Sequence, residues 1–374
     1  MITSIALEKF KCYRHLDKTP LAQINLLAGL NGRGKSSFMQ ALLLLAQSYS
    51  QKEGINSLKI AGRYVNLGSF KDVLNSDADK VNQIAVSFTT DDKDDNDVSL
   101  VFGEDEDRIT FGKILKLQVG DKDYVVGGPV SANGRESDRR TIGVTSDIMG
   151  LRQFLNISYV VADRMGPQNS SKVNDALLMN EIGLHGENLI NIISMNHSRE
   201  DEIAVALSKV MTGASVHTSR SSDGLYLNML LDSSDRSGGF KPVNVGFGYS
   251  YVLPIILTFL LAERGTKIFI ENPEAHLHPG AQSRLMDFMV DQALDKDLQL
   301  FVETHSDHII NGLRIAVKRG KLKRNQGEIL FFDRDNEVGS EPKVTNIHID
   351  SEGNLSDYPD GFMDEWTLQM ASLV

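Results

Sequence analysis

The sequence predicts an α/β fold, with a mixed core sheet covered by helices and an antiparallel β subdomain beside it. Three observations predict this fold. An apolar run breaks into a glycine-rich loop and then into an apolar helical run over residues 24–46. Two further buried-strand runs, each closed by an acid, lie at residues 267–271 and 298–303. Between these regions, residues 84–128 alternate with a period of two and without interposed helices, which is typical of antiparallel strands.

The glycine-rich loop reads GLNGRGKSS over residues 29–37 and follows the phosphate-loop pattern G-x-x-x-x-G-K-[ST]. Glycines at 29, 32 and 34 allow positive φ, so that backbone N–H groups can turn towards phosphate oxygens. The helix that begins there adds its positive dipole end. Lys35 is expected to reach the β- and γ-phosphates, and the Ser36 hydroxyl to bind Mg²⁺. The loop therefore predicts a nucleoside triphosphate site formed by Asn31, Gly32, Arg33, Gly34, Lys35, Ser36 and Ser37.

Composition limits the classes of protein. The chain has 374 residues and 41% hydrophobic residues, which suffices for one large domain or for a core domain with insertions. No apolar run approaches the length that spans a bilayer, and the start of the chain resembles a strand rather than a signal peptide. The single Cys12 excludes an internal disulfide framework and favours a reducing cytoplasm. A net charge of −11 argues against a protein that coats nucleic acid over its whole surface.

The apolar run at residues 267–270 ends in Glu271, and Glu274 follows three residues later. An acid at the end of a core strand can hold Mg²⁺, and a second acid just beyond it can polarise an attacking water. Two surface acids after a core strand are the simpler alternative. The next strand run ends before His305, which can donate a hydrogen bond to a γ-phosphate.

Two other stretches are open to more than one interpretation. EAHLHP at residues 274–279 places two histidines two residues apart, but no third ligand follows from spacing, so a polar loop at a dimer face is favoured over a metal site. GFGYS at residues 246–250 precedes an apolar helix and forms a second anion-binding terminus. One chain has one phosphate loop, so this second terminus is explained if it caps the nucleotide of a neighbouring subunit. An ordinary glycine turn is the alternative.

Together these motifs resemble the ABC-type ATPase heads related to the RecF, SMC and OLD proteins. GLNGRGKSS (29–37) is similar to their Walker A loop, and GFGYS (246–250) is similar to their signature. IFIENPEAHLHP (268–279) resembles Walker B with its catalytic glutamate and D-loop, and ETHSDHIINGLR (303–314) resembles the strand and helix of the switch histidine. KFKCYRH (9–15) resembles the opening of such heads. ADRMGPQ at residues 162–168 lies where a Q-loop would be. The motifs cover both ends of the chain, and the middle is not covered.

The resemblance implies a P-loop ATPase of ABC type that forms a head-to-head homodimer, or a higher homo-oligomer, with ATP and Mg²⁺ at the interface. It implies that Lys35 and Ser36 bind phosphate and Mg²⁺, that Glu271 supports Mg²⁺ and that Glu274 is the general base. It also implies that His305 senses the γ-phosphate, that Gly248 and Ser250 contact it in trans, and that Gln168 is a candidate Mg²⁺ ligand. The chain departs from the pattern of these heads at two positions. Glu271 stands where many relatives have aspartate, and Tyr251 stands where relatives often have glutamine.

Two parts that some of these proteins carry, a long coiled coil and a Toprim domain, are not expected here, which narrows the relatives that the chain resembles. The chain lacks the heptads of a long coiled coil. Only about seventy residues follow the His305 strand, too few for the Toprim nuclease of OLD proteins. The stretch DYPDGFMD (357–364) resembles a small C-terminal domain of unknown function on bacterial relatives, which often act in defence against phage with a separate nuclease or toxin. A basic run at residues 318–324 could touch DNA, RNA or an acidic partner, although a solvated helix end explains it more simply.

Three functional hypotheses follow. The leading one is a cytoplasmic, dimerising ATPase whose closure controls an effector nuclease or toxin, or a nucleic-acid-sensing step, in phage defence. The alternatives are a RecF-like protein of DNA repair or DNA-structure binding and, less favoured, the nucleotide-binding subunit of a transporter. The expected segments are 1–83 (core with Walker A), 84–156 (antiparallel β insertion), 157–240 (Q-loop-like strand and variable helices), 241–335 (core with signature, Walker B and switch histidine) and 336–374 (small C-terminal segment).

Overall fold

The computed structural model describes residues 1–76, 82–92, 97–126, 140–142, 145, 148–233, 236–335 and 340–373. It divides into two compact units, each assembled from stretches that are distant in the chain. The first unit contains Met1–Ile157, Glu328–Ile347 and Asp357–Val374, and the second contains Ser158–Gly327 and His348–Ser356. The five segments expected from the sequence remain a prediction, and parts of 84–156 and 336–374 lie outside the described residues.

A mostly antiparallel sheet forms much of the first unit. Within the described residues its strands lie in the order β11 (Arg140–Ile142), β10 (Lys122–Val126), β9 (Phe111–Val119), β8 (Asp97–Glu104), β7 (Gln83–Thr90), β1 (Ile2–Phe10) and β2 (Tyr13–Pro20), with β6 (Ser57–Lys59) paired to β9. Along β7 every second side chain is buried, and Phe88 packs edge-on against Phe154 at 5.2 Å. The predicted antiparallel β region is therefore present, and β1 and β2 belong to the same sheet.

β2 follows β1 after a two-residue turn at residues 11–12. Tyr13, Leu16 and Thr19 of this strand are buried, whereas its other side chains are exposed and mostly polar. A strand with few apolar residues gives a weak period-two pattern. Pairing with β1, in the register Phe10↔Tyr13, stabilises it.

The phosphate-loop region of the first unit begins with β3 (Ile24–Gly29), which continues through the glycine-rich loop into α1 (Lys35–Ser48). β3, β19 (Gly327–Arg334) and β20 (Pro342–His348) are neighbours in that order. Phe38 of α1 packs edge-on against Phe332 of β19 at 5.4 Å. The small hairpin of β4 (Tyr49–Ser50) and β5 (Gly54–Ile55) follows α1, and α7 (Glu365–Ser372) lies near the end of the chain.

The second unit contains the acid-bearing strands. β12 (Ile157–Val160), β17 (Lys267–Glu271) and β18 (Gln299–Glu303) are neighbours in that order, and β17 and β18 are parallel with Glu271 opposite Glu303. Three helices accompany them: α4 (Phe247–Leu261), α5 (Pro279–Asp295) and α6 (Asp307–Lys318). Because β17 and β18 run in the same direction, their acidic ends lie at one edge of the sheet.

A second antiparallel sheet also belongs to this unit. β15 (Tyr226–Ser233) pairs with β13 (Ser170–Lys172), β14 (Ser215–Arg220) and β16 (Arg236–Phe240), and the helices α2 (Leu189–Met195) and α3 (Glu200–Val210) are nearby. Among the described residues of 157–240, the α-helices are α2 and α3. Within the described ranges, no helix is both long enough and apolar enough to cross a membrane.

Candidate nucleotide site and acidic turn

The phosphate loop has the backbone that its glycines predict. Gly29, Gly32 and Gly34 have φ of 128°, 74° and 104°. A Cβ on Gly29 would collide with the backbone oxygen of Phe332, and one on Gly34 would collide with the Tyr13 hydroxyl. Gly32 has open space around it, so that its conformation alone favours glycine there. The prediction of positive φ at these positions is confirmed.

Lys35 is folded onto the start of the loop. Its ammonium group donates to the carbonyls of Gly29 and Leu30, both at 2.9 Å, and the residue is 3% exposed. Asn31 and Ser36 are exposed at the loop surface. Arg33 donates from Nη1 to the Arg334 carbonyl at 2.8 Å. The loop therefore combines a preformed backbone with two cationic side chains, an arrangement that suits an anion.

The segment where β1 turns into β2 packs against this loop, and the sequence patterns did not reveal that contact. Tyr13 is fully buried, and its hydroxyl donates to the Gly34 carbonyl at 2.9 Å. Cys12 is partly buried, and burial raises the pKa of its thiol against the opposing effect of a hydrogen bond with Ser37. Lys11 donates to Gln40 of α1 at 2.6 Å. The segment that resembles the opening of ABC-type heads thus packs against the phosphate loop.

Glu271 ends β17 with both carboxylate oxygens engaged. Oε1 accepts the Tyr159 hydroxyl at 2.6 Å, and Oε2 accepts the Ala162 N–H at 3.0 Å. Burial and the Glu271 charge raise the pKa of Tyr159 above its usual range, so the phenol stays protonated and remains a donor. A carboxylate has about four acceptor positions, so Glu271 retains capacity for water around a metal ion. Tyr159 was not singled out in the sequence.

Glu274 and His305 are brought together. The Glu274 carboxylate accepts the backbone N–H of His305 at 2.8 Å and the Thr304 hydroxyl at 2.9 Å. The His305 side chain is exposed, and Thr304 is fully buried. Ser306 then begins α6, with its hydroxyl accepting the N–H groups of His308 and Ile309. The acid and the histidine predicted from separate strands therefore form one arrangement.

Arg164 is a further side chain at this site that the sequence analysis did not single out. It is 2% exposed, and Nη1 donates to the carbonyls of Val161 at 3.1 Å and Glu271 at 2.8 Å. Nη2 donates to the Asn272 carbonyl at 2.6 Å, and the guanidinium carbon lies 5.3 Å from the Tyr251 ring centroid. Burial lowers the pKa of Arg164 to about 10, partly offset by the negative charge of Glu274. The only sequence signal was its position after a strand in ADRMGPQ.

The first turn of α4 differs from the expectation for a contact made in trans. Gly248 is buried, and a Cβ built on it would lie only 2.8 Å from the His276 carbonyl oxygen, so no larger residue fits there without a shift. Ser250 is 2% exposed. The exposed residues of this turn are Gly246 and Phe247, and Phe247 is 54% exposed. In the single chain the Ser250 hydroxyl lies inside the second unit, so its contact with a nucleotide on another copy remains a prediction.

Gln168 and the histidine pair have local partners. Gln168 donates to the Met165 sulfur at 3.2 Å, and nothing described links it to Glu271, so its role as a Mg²⁺ ligand also remains a prediction. His278 accepts the Gly280 N–H through Nδ1 at 3.2 Å and caps α5. Among the described residues, no group of three His, Cys, Asp or Glu side chains is placed to hold a metal ion.

Comparison with known families identifies the chain. A family model described as an AAA ATPase domain matches residues 1–212, which is more than half of the chain. The chain belongs to the AAA ATPase domain family. A second model, of an AAA domain whose description mentions the AbiEii toxin and a Type IV TA system, matches residues 160–311 of this ATPase domain. A third, a protein of unknown function (DUF3696), matches residues 322–373, which contain the stretch predicted to resemble such a domain.

Solved structures show the same fold for this ATPase domain. An SmcHead bound to the C-winged helix domain of ScpA matches with a TM-score of 0.57 and 15% identity over 93% of this chain and 98% of that chain. An Smc head domain with an extended coiled coil, bound to the C-terminal domain of ScpA derived from Pyrococcus furiosus, matches with a TM-score of 0.52 and 14% identity over 100% and 98%. No curated protein matches the sequence. The predicted ABC-type P-loop ATPase fold is therefore confirmed.

Proposed function

We propose that this ATPase of ABC/SMC type binds and hydrolyses ATP through the phosphate loop, Glu271, Glu274 and His305. The observation that carries the proposal is the loop before α1, in which three glycines adopt positive φ in a chain of the AAA ATPase domain family. The space that a Cβ on Gly32 would enter is open. This cradle fits phosphate oxygens, which accept hydrogen bonds from backbone N–H groups.

By the chemistry of their donor groups, Ser36 and Glu271 also suit a hydrated Mg²⁺ ion. Ser36 offers an exposed hydroxyl at the first turn of α1, and Glu271 offers a carboxylate fixed by two hydrogen bonds. Oxygen ligands of this kind are those that Mg²⁺ prefers. The ion would neutralise charge on the phosphates, while Lys35 supplies a cation to them. Glu274 then accepts the proton of the attacking water, and the hydrogen bonds from Thr304 and His305 hold its carboxylate in one orientation.

We further propose that two copies close head to head on ATP, with α4 of one copy facing the phosphate loop of the other. Two observations support this. α4 begins at an exposed Gly246, where its N-terminal N–H groups can meet an anion. Beside it, Phe247 is a large apolar side chain that is 54% exposed, and closure on a second copy would cover it.

Gly246→Arg tests the head-to-head arrangement. A Cβ at Gly246 meets nothing within 4 Å and its φ is not positive, so the substitution leaves the single chain intact. Val205→Arg, at another exposed position of the second unit, is the matched control. In light scattering with ATP, wild type and the control are expected to dimerise, whereas Gly246→Arg stays monomeric. A Gly246→Arg variant that dimerises as wild type does would refute the arrangement.

The biological role proposed is control of a separate effector, a nuclease or toxin, in phage defence within the cytoplasm. Support comes from the family model whose description mentions a toxin and a TA system. Affinity purification of the native chain tests it, with Glu274→Gln as the trapped form. The expected result is a nuclease or toxin that co-purifies in an ATP-dependent manner. Phage infection of cells with and without the intact pair then tests the defence role.

A RecF-like role in DNA repair or DNA-structure binding is the second candidate, favoured by one basic surface. Lys321 in the run 318–324 is engaged with Asp287 at 2.6 Å and Asp291 at 2.9 Å. Lys318, Arg319, Lys323 and Arg324 are exposed. Salt-dependent binding of duplex by the ATP-loaded protein, lost when these four are changed to Ser, would favour this role over effector control.

A further inference from the structure

Arg164 has an environment that is unusual for a buried cation. Buried charges are normally paired with an opposite charge. The hydrogen bonds of Arg164 go instead to three backbone carbonyls, those of Val161, Glu271 and Asn272. These carbonyls belong to two segments, the end of β12 and the end of β17. The guanidinium therefore fastens the loop after β12 to the point where β17 turns towards Glu274.

The turn that Arg164 holds is conformationally demanding. Asn272 and His276 have φ of 44° and 60°, which residues other than glycine rarely adopt. The consecutive carbonyls of Glu271 and Asn272 both accept from the one guanidinium. Planar, bidentate donation of this kind is specific to arginine, because a lysine ammonium has no fixed fork. The acidic turn, defined as residues 272–276, thus depends on a side chain outside it.

The same guanidinium lies against α4. Its carbon is 5.3 Å from the Tyr251 ring centroid, and that ring is 4.4 Å from the ring of His276 in the acidic turn. The His276 ring is in turn 5.5 Å from Phe247, which is exposed. With Gly248 packed against the His276 carbonyl, the first turn of α4 and the acidic turn are in continuous contact.

The cluster is also incompletely hydrogen-bonded. Among the described residues, the buried side-chain atoms without a hydrogen-bond partner include Nε of Arg164, Oδ1 of Asn272 and Oγ of Ser250. Native proteins pair nearly all such atoms, and the exceptions are concentrated where a role other than stability selects the residue. Two of these atoms belong to the pair that joins Arg164 to the acidic turn.

We propose that Arg164 is a positioning residue of the ATPase, which couples the exposed first turn of α4 to the acidic turn carrying Glu274. The inference rests on the proposed ATPase function and adds to it. Arg164 touches neither nucleotide nor water in this role. It holds the backbone of Glu271 and Asn272, and thereby the direction of the Glu274 carboxylate. Nucleotide affinity, which depends on the phosphate loop, does not require it.

The test uses steady-state ATP hydrolysis by the full chain. Arg164→Met keeps the length of the side chain and removes the donors. It is expected to lower kcat at least about tenfold with KM for ATP within about twofold, because a misdirected base slows the chemical step and leaves binding unchanged. Arg164→Lys restores one donor group and is expected to give an intermediate kcat. Arg284→Met is the control, since Arg284 also donates to a backbone carbonyl, that of Val210, at 2.8 Å.

The outcomes separate the two proposals. A wild type that binds ATP and never hydrolyses it overturns the proposed function and this inference together. An active wild type with an equally active Arg164→Met overturns only the inference, as does an equal loss of kcat in Arg284→Met. A loss of folded protein would lower the apparent kcat and leave KM unchanged, so the folded fraction of each variant is measured by circular dichroism and by titration with a fluorescent ATP analogue, and kcat is given per folded chain. Where Arg164→Met fails to fold, Arg164→Lys and Tyr251→Leu replace it, and unchanged kcat in both refutes the coupling.

Discussion

The carboxylate of Glu274 accepts a hydrogen bond of 2.8 Å from the backbone N–H of His305. The two residues are 31 positions apart in the chain and lie beyond the ends of the parallel strands β17 and β18. A second bond, from the buried Thr304 hydroxyl, fixes the other carboxylate oxygen. A base held by two donors keeps one orientation, and its position is tied to that of the histidine backbone. The predicted base and γ-phosphate sensor therefore belong to one arrangement.

Glu274→Gln is expected to abolish turnover and preserve ATP binding. The amide oxygen can still accept from His305, whereas an amide cannot take a proton from water. General-base catalysis contributes about 10²–10⁴-fold, so kcat is expected to fall at least about 100-fold. Phosphate release measures kcat, and a fluorescent ATP analogue measures affinity. Glu352→Gln, at an exposed position, serves as the control and retains activity. Equal turnover in both variants would remove Glu274 from the mechanism.

Gly34→Ala is expected to weaken ATP binding at least about tenfold. Its Cβ would meet the Tyr13 hydroxyl, and a φ of 104° disfavours any side chain, which together cost about 1–3 kcal/mol. Gly32→Ala meets open space and bears the cost of positive φ alone, so a smaller effect is expected. Calorimetric titration with ATP measures the loss of affinity, and unfolding in urea measures the loss of stability. If Gly32→Ala lowers ATP affinity and stability as much as Gly34→Ala does, the contact with Tyr13 is unimportant.

Gly248→Ser and Gly246→Ser are expected to change stability in opposite directions. A side chain on Gly248 would press on the His276 carbonyl at 2.8 Å, and overpacking of this kind costs about 1–3 kcal/mol. Gly246 is the N-cap of α4, with φ −61° and no side-chain cap. A serine there can accept a hydrogen bond from an N–H group of the first turn, which is expected to raise the free energy of unfolding by about a few tenths of a kcal/mol. Thermal unfolding compares the two, and a stabilised Gly248→Ser would contradict the close packing.

The thiol of Cys12 is expected to react slowly at neutral pH. Burial raises its pKa, so the folded protein holds less thiolate than an unfolded chain at the same pH. The raised pKa stabilises the fold fully below the pKa of the unfolded thiol, and this contribution is lost as pH rises through the folded pKa. Because Cys12 is the sole cysteine, a thiol reagent reports on it alone. Reaction in buffer that is as fast as in urea would contradict this burial.

The phosphate loop could be predicted because its chemistry is local. The conformations of Gly29, Gly32 and Gly34 follow from residue type and from the strand and helix on either side. Glu271 at the end of β17, and Glu274 three residues beyond it, were likewise predicted from a buried run that stops at an acid. In each case neighbours in sequence supply most of the constraint, so the pattern carries the information.

Other parts of the site were not predictable in this way. Tyr13 meets Gly34 across 21 positions, and Tyr159 meets Glu271 across 112. No periodicity or motif spacing encodes such pairs, because strand order and chain reversal bring them together. The burial of Ser250 has the same origin, since an anion-binding helix start and a packed core helix have similar sequences.

The sequence by itself determined that this chain has a P-loop ATPase core, which glycines it needs, and which acids end its strands. Only the tertiary structure decided that Arg164 holds the turn before Glu274, and that Gly246 and Phe247 are exposed where Gly248 and Ser250 are buried. The physical reason is the range of the interactions. Backbone conformation and strand burial depend on nearby residues, whereas a guanidinium finds its carbonyls only after distant strands have assembled.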